Sequence, residues 1–105
     1  MNDEDREYGE YPSEILGIIS QRIPKEFFNV FTHIWNNKDE GISWKELVEA
    51  IGDRITVDKA VLFYEISGFV NCKSSSMDRR KKIYKADLIR GLQLAELIRD
   101  SKIRR

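Results

Sequence analysis

Residues 41–85 read GISWKELVEAIGDRITVDKAVLFYEISGFVNCKSSSMDRRKKIYK. The segment Ser43-Trp44-Lys45-Glu46 matches a capping box, in which the serine and glutamate side chains each accept a hydrogen bond from the other residue's backbone amide. An apolar stripe follows and ends at Gly52, a residue that can adopt the left-handed conformation found at many helix ends. This pattern predicts a helix over residues 43–52.

A second helix is predicted over residues 56–68, after a turn of only a few residues. We expect Thr56 to be its N-cap residue and Gly68 to end it. Two helices joined by so short a turn are typical of a helix-turn-helix motif. Apolar side chains at helical spacing indicate that one face of the second helix packs inward; they are Val57, Ala60, Val61 and Tyr64.

A β-hairpin is predicted over residues 69–85, directly after the second helix. Its two ends have strand character, and the polar segment between them becomes basic towards its end. A basic hairpin behind a helix-turn-helix pair indicates a winged helix-turn-helix domain, an α+β fold that is mainly α.

Three further helices complete the expected fold. They cover residues 12–20, 24–37 and 86–103, so that residues 12–105 form a single winged-helix domain. Residues 1–11 are acidic and lack periodic apolar positions, and we expect a disordered tail there.

Four short motifs in this order resemble the MarR-type winged helix-turn-helix regulators over about residues 23–91. The resemblance implies a transcriptional regulator that binds double-stranded DNA as a homodimer joined through its terminal helices. Some members of the family bind phenolic ligands, for which Trp35, Trp44 and Tyr64 are candidates, although core positions suit these aromatic residues better. The motifs are Ile42-Ser43-Trp44-Lys45-Glu46-Leu47, Thr56-Val57, Gly68-Phe69-Val70 and Asp78-Arg79-Arg80.

The second helix is the expected recognition helix, with its N-terminal residues near base edges in the major groove. The basic hairpin is expected to contact the DNA backbone or an adjacent minor groove. The predicted DNA-binding residues are Lys45, Arg54, Thr56, Asp58, Lys59, Lys73, Arg79, Arg80, Lys81 and Lys82.

The distribution of charge agrees with a polyanion as partner, although the net charge is zero. Residues 1–14 carry six acidic residues and one arginine, whereas residues 73–105 carry eleven lysines and arginines against four acidic residues. The alternative is a lysine-rich surface that serves only solubility.

The C-terminal helix carries an apolar stripe wider than a small core can cover. We expect this helix and residues 12–20 to form a dimer interface; the alternative is that the helix only caps its own core. The predicted interface residues are Ile15, Leu16, Ile19, Leu88, Leu92, Ala95 and Ile98.

Catalysis, metal binding and cofactor binding are not expected. The sequence has no paired nucleophile and base, no CxxC motif and no glycine-rich phosphate loop, and His33 has no partner at metal-ligand spacing. The single Cys72 is expected to be half-buried, with a redox switch as the alternative. One cysteine and an acidic start that does not match a secretory signal favour a cytoplasmic protein.

Leu62, Phe63 and Ile66 are apolar where the MarR-type family usually has polar or basic residues. An acidic Asp58 also lies near the expected groove. These residues keep an alternative function open, in which the winged helix is a protein-interaction module of a transcription complex without direct DNA readout.

Overall fold

The computed structural model describes residues 9–74 and 82–100. Within these residues the chain forms five α-helices and three short β-strands. None of the described helices is long and apolar enough to cross a membrane. In chain order the elements are α1 (Ser13–Gln21), α2 (Lys25–Asn36), β1 (Ile42–Ser43), α3 (Trp44–Ile51), α4 (Arg54–Ser67), β2 (Val70–Ser74), β3 (Lys82–Ala86) and α5 (Arg90–Arg99).

The three strands form one antiparallel sheet in the order β1-β3-β2. Tyr84 of β3 lies between Ile42 of β1 and Cys72 of β2. Strand β1 was not predicted, because two residues are too few to show alternation. Gly41 precedes it with φ of 88°, and a Cβ there would lie 2.7 Å from a side-chain carbon of Ile83. A larger residue at position 41 therefore conflicts with the sheet.

The core lies between the helices and the inner face of the sheet, around the fully buried Tyr64 of α4. The Tyr64 ring contacts Phe27, Phe31 and Phe69, with ring centroids 5.4–6.3 Å apart. Its hydroxyl donates to the Phe27 carbonyl oxygen at 2.7 Å, so the buried polar atom is satisfied. Burial also raises the pKa of this phenol well above its usual value. Leu94 of α5 is fully buried in the same core.

The predicted helix-turn-helix pair and the hairpin behind it are confirmed, but α4 begins two residues earlier than expected. Asp53, not Thr56, is its N-cap residue. The Asp53 carboxylate accepts from the backbone amides of Ile55 at 3.1 Å and Thr56 at 3.3 Å, and from the Thr56 hydroxyl at 2.8 Å. An ionised carboxylate satisfies more of the free amides at a helix start than a threonine hydroxyl can.

Helix α5 begins at Arg90, four residues later than the predicted 86–103 helix. Ala86 still pairs with Val70, and the Asp87 amide donates to the Phe69 carbonyl oxygen at 2.8 Å. The Asp87 carboxylate then accepts from the Arg90 amide at 2.8 Å. Strand β3 thus ends at Ala86, and the Asp87 side chain accepts from the backbone amides of Ile89 and Arg90, where the helix begins. Residues 101–103 of the predicted helix lie outside the described residues.

The prediction of a disordered tail over residues 1–11 is wrong for residues 9–11. The Tyr11 amide donates to the Gln93 side-chain oxygen at 2.9 Å, and the Gln93 amide group donates to the Tyr11 carbonyl oxygen at 2.9 Å. Arg90 lies 3.9 Å from the Tyr11 ring centroid and donates to the Gly9 carbonyl oxygen at 2.9 Å. The Tyr11 hydroxyl also donates to the Ser67 carbonyl oxygen. Residues 1–8 lie outside the described residues.

Candidate nucleic-acid interface

Local hydrogen bonds orient the helix pair. The Ser43 hydroxyl accepts from the Glu46 amide and the Glu46 carboxylate accepts from the Ser43 amide, both at 3.0 Å, which confirms the predicted capping box. The backbone amide of Ser43 is the first cause of a lowered pKa at Glu46. Gly52 ends α3 with φ of 84°, and its amide donates to the Val48 carbonyl oxygen at 2.8 Å. The left-handed glycine turns the chain directly into Asp53 and α4.

Helix α4 packs through one face and exposes the other. Its buried residues are Val57, Ala60, Val61 and Tyr64, as predicted from their spacing. The opposite face carries three exposed aliphatic residues, which we call the aliphatic ridge of α4. They are Ile55, Leu62 and Ile66, with exposed fractions of 64%, 59% and 78%.

Two of the predicted DNA contacts on α4 already have partners within the protein. The Trp44 indole N–H donates to an Asp58 carboxylate oxygen at 2.7 Å. The Thr56 hydroxyl donates to Asp53 as part of the helix cap. Arg54 and Lys59, in contrast, are exposed. These two cations are the predicted α4 contacts that are accessible to a phosphate.

Two of the predicted basic contacts, Lys82 and Lys73, lie on opposite faces of the sheet. Lys82 lies on the same side as the buried Tyr84, which faces the helices, because side chains alternate along a strand. Its charge acts on the half-buried Cys72, on that same side. Lys73 points to the other face. The predicted contacts Arg79, Arg80 and Lys81 lie outside the described residues.

The outer face of the sheet contributes to a groove of about 610 Å³ that was not foreseen. Lys38, Lys73 and Lys85 line it together with Asn71 and Asp87. Lys38 also lies 4.8 Å from the Trp35 ring centroid. The exposure of Lys85 was readable from strand alternation, but Lys38 joins the groove only through the tertiary fold.

Ion pairing is sparse in the part of the chain that the structure describes. Over residues 9–74 and 82–100, one pair lies within 4.0 Å, between Arg99 and Asp100 at 3.2 Å. Among these residues, the exposed cations Lys45, Arg54 and Lys59 therefore have no carboxylate within 4.0 Å, although the charge of Lys59 acts on Asp53 from farther away. Unpaired surface cations can form ion pairs with phosphate groups without first breaking an internal pair.

Cys72 lies opposite Tyr84 in the β2–β3 pair. Burial, and then the nearby Glu65, raise the pKa of the Cys72 thiol. The pKa of Tyr84 is raised for the same first reason. A redox sensor needs a lowered thiol pKa, so these surroundings argue against the redox alternative and agree with a half-buried structural cysteine.

The predicted dimer residues fall into three groups. Ile15 of α1, Leu92 of α5 and Leu88 just before α5 are exposed, and Ile18 of α1, which was not predicted, is exposed as well. Leu16 differs, since it is buried in its own core and has no surface to offer a partner. The remaining three, which are half-buried, are Ile19, Ala95 and Ile98.

The three aromatic candidates for a ligand site do not share one pocket. Tyr64 is enclosed in the core, and Trp44 is held by Asp58. Trp35 stacks on Phe31 and lines a cleft of about 290 Å³ between α2 and α5. Among the described residues, no group of three or more His, Cys, Asp or Glu side chains is placed to hold a metal ion.

No protein-family model and no curated protein sequence matches the chain. Several solved structures resemble it. The S. aureus MepR–DNA complex is 16% identical with a TM-score of 0.66, over 84% of this chain and 69% of that chain. MarR is 20% identical with a TM-score of 0.68, over 86% of this chain and 74% of the MarR chain. A SlyA-like regulator from Listeria monocytogenes is 18% identical with a TM-score of 0.61, over 86% and 65%.

These similarities establish the class of fold. The chain has the winged helix-turn-helix fold of the MarR-type transcription regulators, with five helices and a three-stranded antiparallel sheet among its described residues. The predicted mainly helical α+β fold and the resemblance in sequence are therefore confirmed at the level of fold. Two of the structural neighbours, SlyA and the SlyA-like protein, are described as transcription regulators.

Proposed function

We propose that this protein is a transcriptional regulator that binds double-stranded DNA as a homodimer. Helix α4 enters the major groove, and the hairpin of β2 and β3 contacts the backbone or the adjacent minor groove. The observation that carries the proposal is the position of Arg54, Lys59 and Lys82, which are exposed on α4 and on the same side of the hairpin as the helices. A structural neighbour with this fold, MepR, has been crystallised in complex with DNA.

The cations that the structure describes have two proposed roles, which are to position the protein on the DNA backbone and to read the base sequence. Lys45 at the start of α3, Arg54 at the start of α4 and Lys82 on the hairpin are suited to phosphate contacts, which orient the protein without reading sequence. Lys59, one turn into α4, is suited to a base edge. Arg79, Arg80 and Lys81 precede Lys82 in the chain and add positive charge to this contact.

The homodimer rests on the apolar surface of the terminal helices. Ile15 and Ile18 of α1 are exposed, as are Leu88 and Leu92 at α5. Burial of these side chains against a second copy removes apolar area from water, which stabilises association. A two-fold dimer then presents two copies of α4 to half-sites about 34 Å apart on the duplex.

DNA binding is tested by titrating a fluorescent duplex of mixed sequence with the full chain at increasing salt. We expect tight binding at low salt and a log–log slope near −5, for about six neutralised phosphates. Lys82→Gln is expected to weaken binding and reduce the slope by about 1. Lys85→Gln is the matched control, because Lys85 lies on the same strand but faces away from the helices. An equal effect of both substitutions would contradict the proposed docking face.

The dimer is tested by the mass in solution, expected at twice the 12.4 kDa of one chain. Leu92→Glu is expected to shift the protein towards monomer, because it introduces a charge into the proposed interface. Leu62→Glu is the control, since Leu62 is also an exposed leucine but lies on α4. A wild-type monomer at micromolar concentration would rule out the dimer.

A second candidate function is supported by the aliphatic ridge of α4. Exposed apolar patches often mark protein-interaction sites, and the ridge offers one at the position of the recognition helix. In that case the protein is an interaction module of a transcription complex. Absence of duplex binding even at low salt would favour this function over DNA binding.

A further inference from the structure

The aliphatic ridge points directly away from the core. At about 100° per residue, Ile55, Lys59, Leu62 and Ile66 fall within one narrow arc of α4, opposite the buried Tyr64. Any surface that α4 approaches along this direction meets aliphatic side chains first. Lys59 is the one polar member of this arc.

The polar groups that usually read base edges are scarce on α4. The helix contains no asparagine or glutamine, the side chains that pair with adenine. Its Thr56 hydroxyl and its Asp58 carboxylate are engaged by Asp53 and Trp44. Readout of sequence by α4 therefore depends on Arg54, Lys59 and the ridge.

The major groove offers an aliphatic side chain one apolar partner, the C5-methyl group of thymine. An aliphatic side chain placed against the polar edge of a guanine or cytosine displaces water without replacing its hydrogen bonds, which is unfavourable. When the same side chain packs against a methyl group, apolar area of both the side chain and the methyl group is removed from water, which is favourable.

Resting on the proposed insertion of α4 into the major groove, we propose that Ile55 and Leu62 read the 5-methyl groups of thymine. The preferred duplex then carries thymine at the positions that face these two side chains. Ile55 and Leu62 are seven residues apart, or about 10 Å along the helix at 1.5 Å per residue. That distance corresponds to about three base-pair steps of 3.4 Å. The ridge thus selects thymines with a defined spacing rather than any A·T-rich duplex.

The test compares two duplexes that differ only in this methyl group. One alternates dA and dT over about two helical turns, and the other replaces every dT by deoxyuridine. The full chain is titrated against both at the same low salt concentration. We expect the thymine duplex to bind about fourfold more tightly for each methyl group contacted, from the usual free energy of burying one such group.

Three substitutions at exposed positions assign the effect to the ridge. Leu62→Asn and Ile55→Asn are each expected to reduce the ratio of the two affinities by about fourfold, because they remove the aliphatic contact. Lys59→Gln is the matched control on the same arc. It is expected to weaken binding to both duplexes and to leave their ratio unchanged, because thymine and uracil present the same O4 acceptor to its ammonium group. Unchanged helical circular dichroism confirms that each variant is folded.

The outcomes separate this inference from the proposed function. Equal binding of both duplexes by the wild type would overturn methyl readout while leaving DNA binding in place. A wild-type preference that persists in Leu62→Asn and Ile55→Asn would overturn the assignment to these residues. Failure to bind either duplex would overturn both proposals and favour a protein partner for the ridge.

Discussion

The indole of Trp44, the first residue of α3, donates a hydrogen bond to the carboxylate of Asp58 in the second turn of α4, at 2.7 Å. This bond joins the two helices of the motif across 14 residues of sequence. It also explains an acidic residue at the N-terminal half of a proposed recognition helix, because Asp58 orients α3 against α4. The bond places a negative charge close to the proposed DNA surface.

Replacement of Asp58 by asparagine separates these two effects. Asp58→Asn retains an oxygen that can accept from the Trp44 indole but removes the charge, so we expect about fivefold tighter binding to duplex DNA at low salt. Asp58→Ala removes both and is expected to destabilise the fold slightly as well. Fluorescence anisotropy and urea unfolding measure the two effects. Unchanged affinity in Asp58→Asn would place this part of α4 away from DNA.

The caps of α3 and α4 predict an acid-sensitive fold. Hydrogen bonds from Thr56 lower the pKa of Asp53 below its ordinary 3.8, and those from Ser43 lower the pKa of Glu46 below 4.5. A lowered pKa in the folded state stabilises the protein above the ordinary pKa, and this contribution is lost as the pH falls through the lower value. We therefore expect thermal stability to decline below about pH 4.

Asp53→Asn tests how much the α4 cap contributes to this acid sensitivity. Asparagine is a good N-cap residue without a charge, so this variant is expected to keep most of its stability at pH 6 and to lose less than wild type on acidification. Asp53→Ala is expected to be less stable already at pH 6. Melting curves at pH 6 and pH 3 provide the measurement. Identical acid sensitivity in wild type and Asp53→Asn would exclude a contribution from this cap.

The contacts of Tyr11 predict that the residues before α1 stabilise the domain. Its ring lies between Arg90 and Phe69, with centroid distances of 3.9 Å and 5.6 Å. We expect Tyr11→Ala to reduce the free energy of unfolding by about 2 kcal/mol, since a half-buried aromatic side chain contributes less than a fully buried one. Glu10→Ala, at an exposed neighbour, is expected to change it by less than about 0.5 kcal/mol. If urea unfolding gave the same free energy of unfolding for Tyr11→Ala as for wild type, the contacts of Tyr11 would contribute nothing to stability.

The surroundings of Cys72 predict a thiol that reacts slowly with alkylating reagents. Because burial and Glu65 raise its pKa, the reactive thiolate fraction at neutral pH is smaller than for free cysteine. We expect alkylation by iodoacetamide at least about threefold slower than that of free cysteine. Glu65→Gln removes one cause of the raised pKa and is expected to increase the rate. A wild-type rate equal to that of free cysteine would contradict the raised pKa.

Sequence patterns predicted the elements that depend on near neighbours. The capping box of Ser43 and Glu46 and the glycine ends at Gly52 and Gly68 follow from groups within a few residues of one another. The error at the start of α4 is also local, since both Asp53 and Thr56 are acceptable N-cap residues. The structure shows that they act together, with the threonine hydroxyl bonded to the aspartate.

The candidate site was less predictable than the fold. The apolar residues of α4 were recognised as unusual, but their sequence does not state whether Leu62 and Ile66 pack on another element or face solvent. The faces of Lys73 and Lys82 depend on the register of the hairpin. Each of these facts requires the position of one element relative to another.

By itself, the sequence determined the helix-turn-helix pair, the capping box of α3 and the inward face of α4. These features depend on hydrogen bonds and apolar periodicity between residues that are near neighbours in the chain. Only the tertiary structure decided that Tyr11 contacts Gln93, 82 residues away, and that the aliphatic ridge of α4 stays exposed. Such contacts depend on how the whole chain closes around its core, and a local pattern carries no information about that closure.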